Sequence, residues 1–130
     1  MIFWRHPQDE VRIVVNHIVD AAKKSKAKVI LGLDFHSTQE DLYYSFPDEM
    51  HSVIYPFKDY WLNSIGSALP NYEPDDQPFP LSDPISKGWF YQQFKAESIT
   101  YEIGDETARD FIQQKAEIAS REMMKLLIFK

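Results

Sequence analysis

Along residues 8–26, Val11, Val14, Val15, Ile18, Val19 and Ala22 recur at helical spacing between polar positions. That period predicts an amphipathic helix. Pro7 near its start, and acidic Asp9 and Glu10 in the first turn, suit the positive end of a helix dipole. Residues 29–35 form a short continuous apolar run instead, which predicts a strand buried on both faces. Polar residues follow abruptly at His36 and Ser37. A second helix is predicted over 57–69. Residues 70–84 hold five of the eight prolines together with Asp75 and Asp76, and predict an irregular surface loop. A short amphipathic segment, 89–94, leads into 97–103, whose alternating β-branched pattern predicts a second strand. The last predicted element, 108–127, is a long helix with Phe111, Ile112, Ala116, Ala119, Met123, Leu126 and Leu127 along one side.

The order helix, strand, helix, loop, strand, helix implies an α/β fold, a partial mixed sheet covered by helices. Two strong strands make a small sheet, and a doubly buried strand needs a neighbour on each side. Residues 1–130 are therefore expected to be a single, N-terminally truncated domain, in which Met1, Ile2, Phe3 and Trp4 have nothing local to pack against. Composition narrows the picture. The chain is 44% hydrophobic and 15% aromatic, too apolar for a disordered segment. A net charge of −6 argues against a nucleic-acid partner. The one basic cluster, Lys23, Lys24, Lys26 and Lys28, is expected to be a solvated helix end. The absence of cysteine leaves only His, Asp and Glu to hold a metal. No stretch approaches the ~18 apolar residues of a membrane span, and none resembles a signal segment. The expectation is a cytoplasmic chain with no membrane partner.

In open α/β sheets, ligands bind at the carboxyl ends of the strands. His36 follows the first predicted strand and Glu102 closes the second. A neutral imidazole suits a metal, with Asp34 or a backbone carbonyl orienting its other nitrogen. A nearby carboxylate can take a proton from metal-bound water. On spacing alone, the plainer reading is a hydrogen-bonded structural histidine and a salt-bridged carboxylate.

Two local sequences change that reading. A helix containing Glu10-Val11-Arg12 precedes a strand running into Phe35-His36-Ser37, and Trp89 stands thirteen residues before Glu102 in Ser98-Ile99-Thr100-Tyr101-Glu102. In this order the motifs resemble the zinc carboxypeptidase family, over nearly the whole chain and as the C-terminal half of the catalytic domain. The resemblance implies a hydrolase that removes the C-terminal residue of peptides, with His36 binding zinc and Glu102 as general base. It places Ser37, Lys87 and Thr100 in the substrate site. Lys87 would then favour peptides ending in Asp or Glu.

The departures from the family are specific. Its first two zinc ligands form an upstream His-x-x-Glu pair, which this chain lacks. His6 with Asp9, and His17 with Asp20, form His-x-x-Asp pairs in the helix region. The family's carboxylate-gripping Asn-Arg pair is missing before Trp4, and neither Arg5 nor Arg12 sits in that context. Pro80 occupies the place of the mobile tyrosine, with Tyr72 and Tyr91 as substitutes. Tyr43, Tyr44 and Phe46 could line a cleft, although core packing is their commoner fate. The expected chain is inactive alone and needs its missing N-terminal half, or a self-associated copy, as partner. An N-acyl amino acid deacylase of the same superfamily and a catalytically dead remnant or binding domain are the alternatives. The Trp89-to-Glu102 spacing favours the peptidase.

Overall fold

The computed structural model describes residues 9–78 and 86–128. The elements run α1 Asp9–Ser25, β1 Leu31–Thr38, β2 Leu42–Ser45, α2 Phe57–Ala68, β3 Asp76–Pro78, α3 Ser86–Phe94, β4 Glu97–Gly104 and α4 Arg109–Ile128. The sheet order is β1-β4-β2-β3. β1 and β4 are parallel, β2 runs antiparallel to β4, and β3 is parallel to β2. This is the mixed α/β class that the element order implies, and the two predicted strands are neighbours in it.

Two strands go beyond the sequence reading. β2 is four residues long, too short to display a period, and β3 lies inside the proline-rich segment expected to be a loop. Pro78 is tolerated there because β3 is an edge strand, where a missing N–H breaks no inner ladder. Residues 79–84 of the same segment lie outside the described residues.

The expectation for β1 needs correcting. It starts two residues later than the apolar run and continues through His36 and Ser37 to Thr38. It is also not buried on both faces. Among the described residues β1 pairs only with β4, and Phe35 is 64% exposed. The apolar run marked the strand, but pairing with Glu97–Gly104 set its ends.

One face of the sheet supplies Tyr43, Ile99 and Tyr101 to a core shared with Trp61 and Ile65 of α2 and Ile118 and Ala119 of α4. Each such burial contributes roughly 1.5–3 kcal/mol. The Trp61 indole N–H donates to the Ala119 carbonyl at 2.8 Å and ties the two helices together. Tyr43 and Tyr101 meet edge to face at 5.2 Å. Tyr43 and Phe46 are buried and so belong to the packing, not to a cleft. On the other face α3 lays the Phe90 ring over Gly32.

The two long helices do not cover the sheet equally. α4 enters the core, whereas no residue of α1 is buried. Between α1, β1 and α3 lies a cavity of about 420 Å³, bordered by Val11, Val14, Val15, Ile18, Leu33, Trp89 and Phe90. The lysines ending α1 are exposed, as expected.

Candidate active site

His36 and Glu102 are partners on one rung of the parallel β1–β4 ladder. Their side chains therefore leave the sheet on the same face, one strand spacing apart. His36 Nδ1 lies 3.9 Å from Glu102 Oε1, beyond hydrogen-bond distance, so each atom keeps a lone pair for a third group. The other imidazole nitrogen, Nε2, lies 2.8 Å from Asp34 Oδ1. Asp34 stands two residues earlier on the same strand face, and its other oxygen accepts a hydrogen bond from Ser86 at the start of α3. The Asp34 contact favours the tautomer protonated on Nε2, which leaves Nδ1 bare toward Glu102.

The two side chains differ sharply in exposure, 55% for His36 against 7% for Glu102. Glu102 Oε2 has no hydrogen-bond partner among the described residues. A buried carboxylate oxygen in that condition needs a proton donor, a water or an ion. Thr100, also buried, lies two residues before the base and is paired with Asp34 and Tyr44. Asp34, His36, Thr100 and Glu102 thus share one face toward the carboxyl ends of β1 and β4.

Other residues singled out from the sequence are not gathered there. Ser37 is exposed, and strand alternation turns it to the face opposite His36. Lys87 is fully buried: its amine donates to the Ser45 carbonyl at 2.6 Å and lies 4.6 Å from the centre of the Phe46 ring. Burial pushes its pKa down to about 8, against the pull of Asp76 and Glu97. The Tyr72 hydroxyl pairs with that of Tyr43 at 2.9 Å, and Tyr91 packs edge to face on Phe46 at 5.0 Å. Both suggested substitutes for the mobile tyrosine are thereby engaged in packing. His17 and Asp20 are exposed on α1, whereas Arg5, His6 and Pro80 lie outside the described residues.

Two polar groups carried no signal in the sequence. Ser86, which holds Asp34, reads as an ordinary helix-start serine. Lys115 sits in a polar stretch of α4, yet is fully buried and ion-paired with Asp41, the residue before β2. The rings of Tyr101, Tyr43 and Tyr72 surround its amine at 4.5, 5.5 and 5.7 Å. Burial lowers the lysine's pKa while Asp41 raises it.

The chemistry of His36 suits one metal ligand, with Asp34 behind it and the Glu102 carboxylate beside it. Catalytic zinc sites use three protein ligands. Among the described residues, no group of three or more His, Asp or Glu is placed to hold a metal ion. These residues alone do not make a zinc site.

No protein-family model matches the sequence, and no curated protein matches it. A solved structure, the metallo-carboxypeptidase from Burkholderia cenocepacia, has a similar fold, with a TM-score of 0.59 and 14% identity. The likeness covers 96% of this chain and 36% of that one, so the chain spans about a third of the length of the structure it matches. At that identity the likeness is one of fold: a mixed sheet with helices, arranged as in part of a metallo-carboxypeptidase.

Proposed function

We propose that this chain carries the proton-handling part of a metallocarboxypeptidase-type hydrolytic site, with Glu102 as general base and His36 as one metal ligand. The observation that carries the reading is the shared rung. The bare Nδ1 of His36 lies 3.9 Å from Glu102 Oε1, and the other oxygen of that buried carboxylate, Oε2, has no hydrogen-bond partner among the described residues. The similarity to a metallo-carboxypeptidase fold supports it. Zinc held with ligands from another segment would supply an acidified water. Glu102 accepts a proton on its carboxylate and returns it to the leaving amine, acting as base and then acid. Asp34 keeps the imidazole protonated on Nε2, and Thr100 flanks the base. The substrate class is a peptide cut at its C-terminal residue. Lys87, whose amine donates to the Ser45 carbonyl, braces β2 in this reading. One observation favours a non-catalytic binding domain of the same fold: the shortage of metal donors among the described residues.

Zinc titration followed through the histidine ring protons by NMR separates these readings. The His36 signal should move first and weakly, and Asp34→Asn should weaken its response. Blocked dipeptides should not be hydrolysed by the chain alone. Zinc that shifts His17 or His51 while leaving His36 unmoved would remove the metal-ligand role. Tight stoichiometric zinc with turnover would instead show that residues 1–8 complete the site, His6 first among them.

A further inference from the structure

Lys115 places a charge in the core. Its side chain is fully buried within α4, ion-paired with Asp41 and surrounded by the rings of Tyr43, Tyr72 and Tyr101. Stability alone does not account for such a pair, because packed apolar side chains in its place are often as stable or more so. What the pair does is join two parts of the chain seventy-four positions apart. One is α4, and the other is the short crossover, residues 39–41, between β1 and β2.

The crossover has a constrained path. β4 lies between β1 and β2 in the sheet, so residues 39–41 pass over its carboxyl end. They pass closely: a Cβ on Gly104, the last residue of β4, would lie 3.1 Å from the Asp41 backbone nitrogen and 3.3 Å from the Glu40 carbonyl carbon. The Asp105 N–H donates to the Thr38 carbonyl at 2.7 Å, which fixes where the crossover begins. Lys115 fixes where it ends. It draws the Asp41 side chain to the core face of the sheet, where the three tyrosine rings stand. Leu42, next in the chain, pairs directly with Glu102 and so shares its face, the opposite one. Glu102 therefore stands on its rung between His36 and Leu42. Leu42 and Glu102 are both buried, and the carboxylate's neighbour on this flank is apolar.

We propose that Lys115 is a positioning residue for Glu102. Through Asp41 it pins the crossover over the end of β4, and so keeps Leu42 beside the carboxylate as a cover against bulk water. The inference rests on the reading of Glu102 as general base, a role that bulk water reaching the carboxylate would undermine. The spacing of His36 and Glu102 belongs to the ladder, and the cover on the other flank belongs to the crossover. Without the Lys115 charge, Asp41 is an unpaired carboxylate against tyrosine rings. It then turns out to water and carries the crossover with it.

The chain contains no cysteine, so a single introduced thiol reports its own exposure. Leu42→Cys probes the cover, and Glu102→Cys probes the position that it shields. Ser98→Cys is the control, since Ser98 is buried on the same face of β4, four residues earlier. Each thiol is labelled with an alkylating reagent, first in the otherwise unchanged chain and then together with Lys115→Met. Lys115→Met should speed labelling at 42 and 102 by about tenfold or more, because a buried charge without its partner opens the structure where it stands. Labelling at 98 should change by less than about twofold, since the opening is local. Asp41→Asn keeps the side chain's size and breaks the pair from the other side. It should give the same pattern, and it carries the test if Lys115→Met does not fold. Equal acceleration at all three thiols would mean that the pair only holds the fold together, and overturns the proposal. Labelling at 42 and 102 that ignores both substitutions overturns it too. Zinc takes no part in this measurement, so the catalytic reading can fail the zinc titration while the labelling pattern stands, and the reverse.

Discussion

Lys87 shows at the scale of one residue how burial redirects a side chain's chemistry. In the folded chain its amine releases a proton near pH 8, while the unfolded chain holds it up to the ordinary 10.5. Between those values the unfolded state binds more protons, so stability rises with pH across this window and the penalty is fully present below it. The rise should be of order 1–3 kcal/mol, because a pKa lowered by one corresponds to about 1.4 kcal/mol. Urea unfolding of the wild-type chain and of Lys87→Met across the window should show the gain in the former alone. Parallel curves for the two proteins would mean that the amine remains solvated. The comparison cancels the tyrosines, since burial raises Tyr43, Tyr72 and Tyr101 equally in both.

At the scale of elements, α3 is fixed to the sheet by what Gly32 lacks. A Cβ built there would lie 2.5 Å from the Phe90 ring, so Gly32→Ala must push α3 away from β1. The expected cost is about 1–3 kcal/mol in thermal unfolding, partly recovered by combining it with Phe90→Leu. An unshifted midpoint would show that α3 is not seated on β1. How much was legible in the sequence follows the same logic of neighbours. Helices announce themselves through their own periodicity, and all three predicted helices exist within a few residues of their expected ends, while the short amphipathic segment 89–94 falls in a fourth, α3. β2 and β3 exist because partners stand beside them, and nothing in their few residues says so. His36 and Glu102 were visible because a polar residue ending an apolar strand is conspicuous. Asp34 was named only as an alternative to a backbone carbonyl, and its contact with His36 Nε2 at 2.8 Å shows which group stands there. The burial of Lys87 was not legible, since the Ser45 carbonyl that holds it is forty-two positions away. The orientation of Ser37 was not legible either, because β1 runs on through it to Thr38 and alternation turns it to the face opposite His36.

For the whole molecule, the feature with the widest reach is the ladder that carries the candidate site. β1 and β4 pair from Leu31 with Glu97 to Thr38 with Gly104, and His36 and Glu102 occupy one rung of that run. Their separation is set by the spacing of two strands, about 4.8 Å, and by no loop. A slip of one residue would turn His36 to the opposite face, so a half-assembled pair has no register in which to exist. The site is therefore digital where loop-built sites are analogue. Heating or denaturant should leave the His36 ring signal unshifted while the sheet holds, then abolish it together with the far-ultraviolet dichroism. A His36 signal that drifts or vanishes well before the helices melt would break the link. A substitution remote in α2 or α4 should likewise change how many molecules carry the pair, and leave unchanged the geometry in those that do.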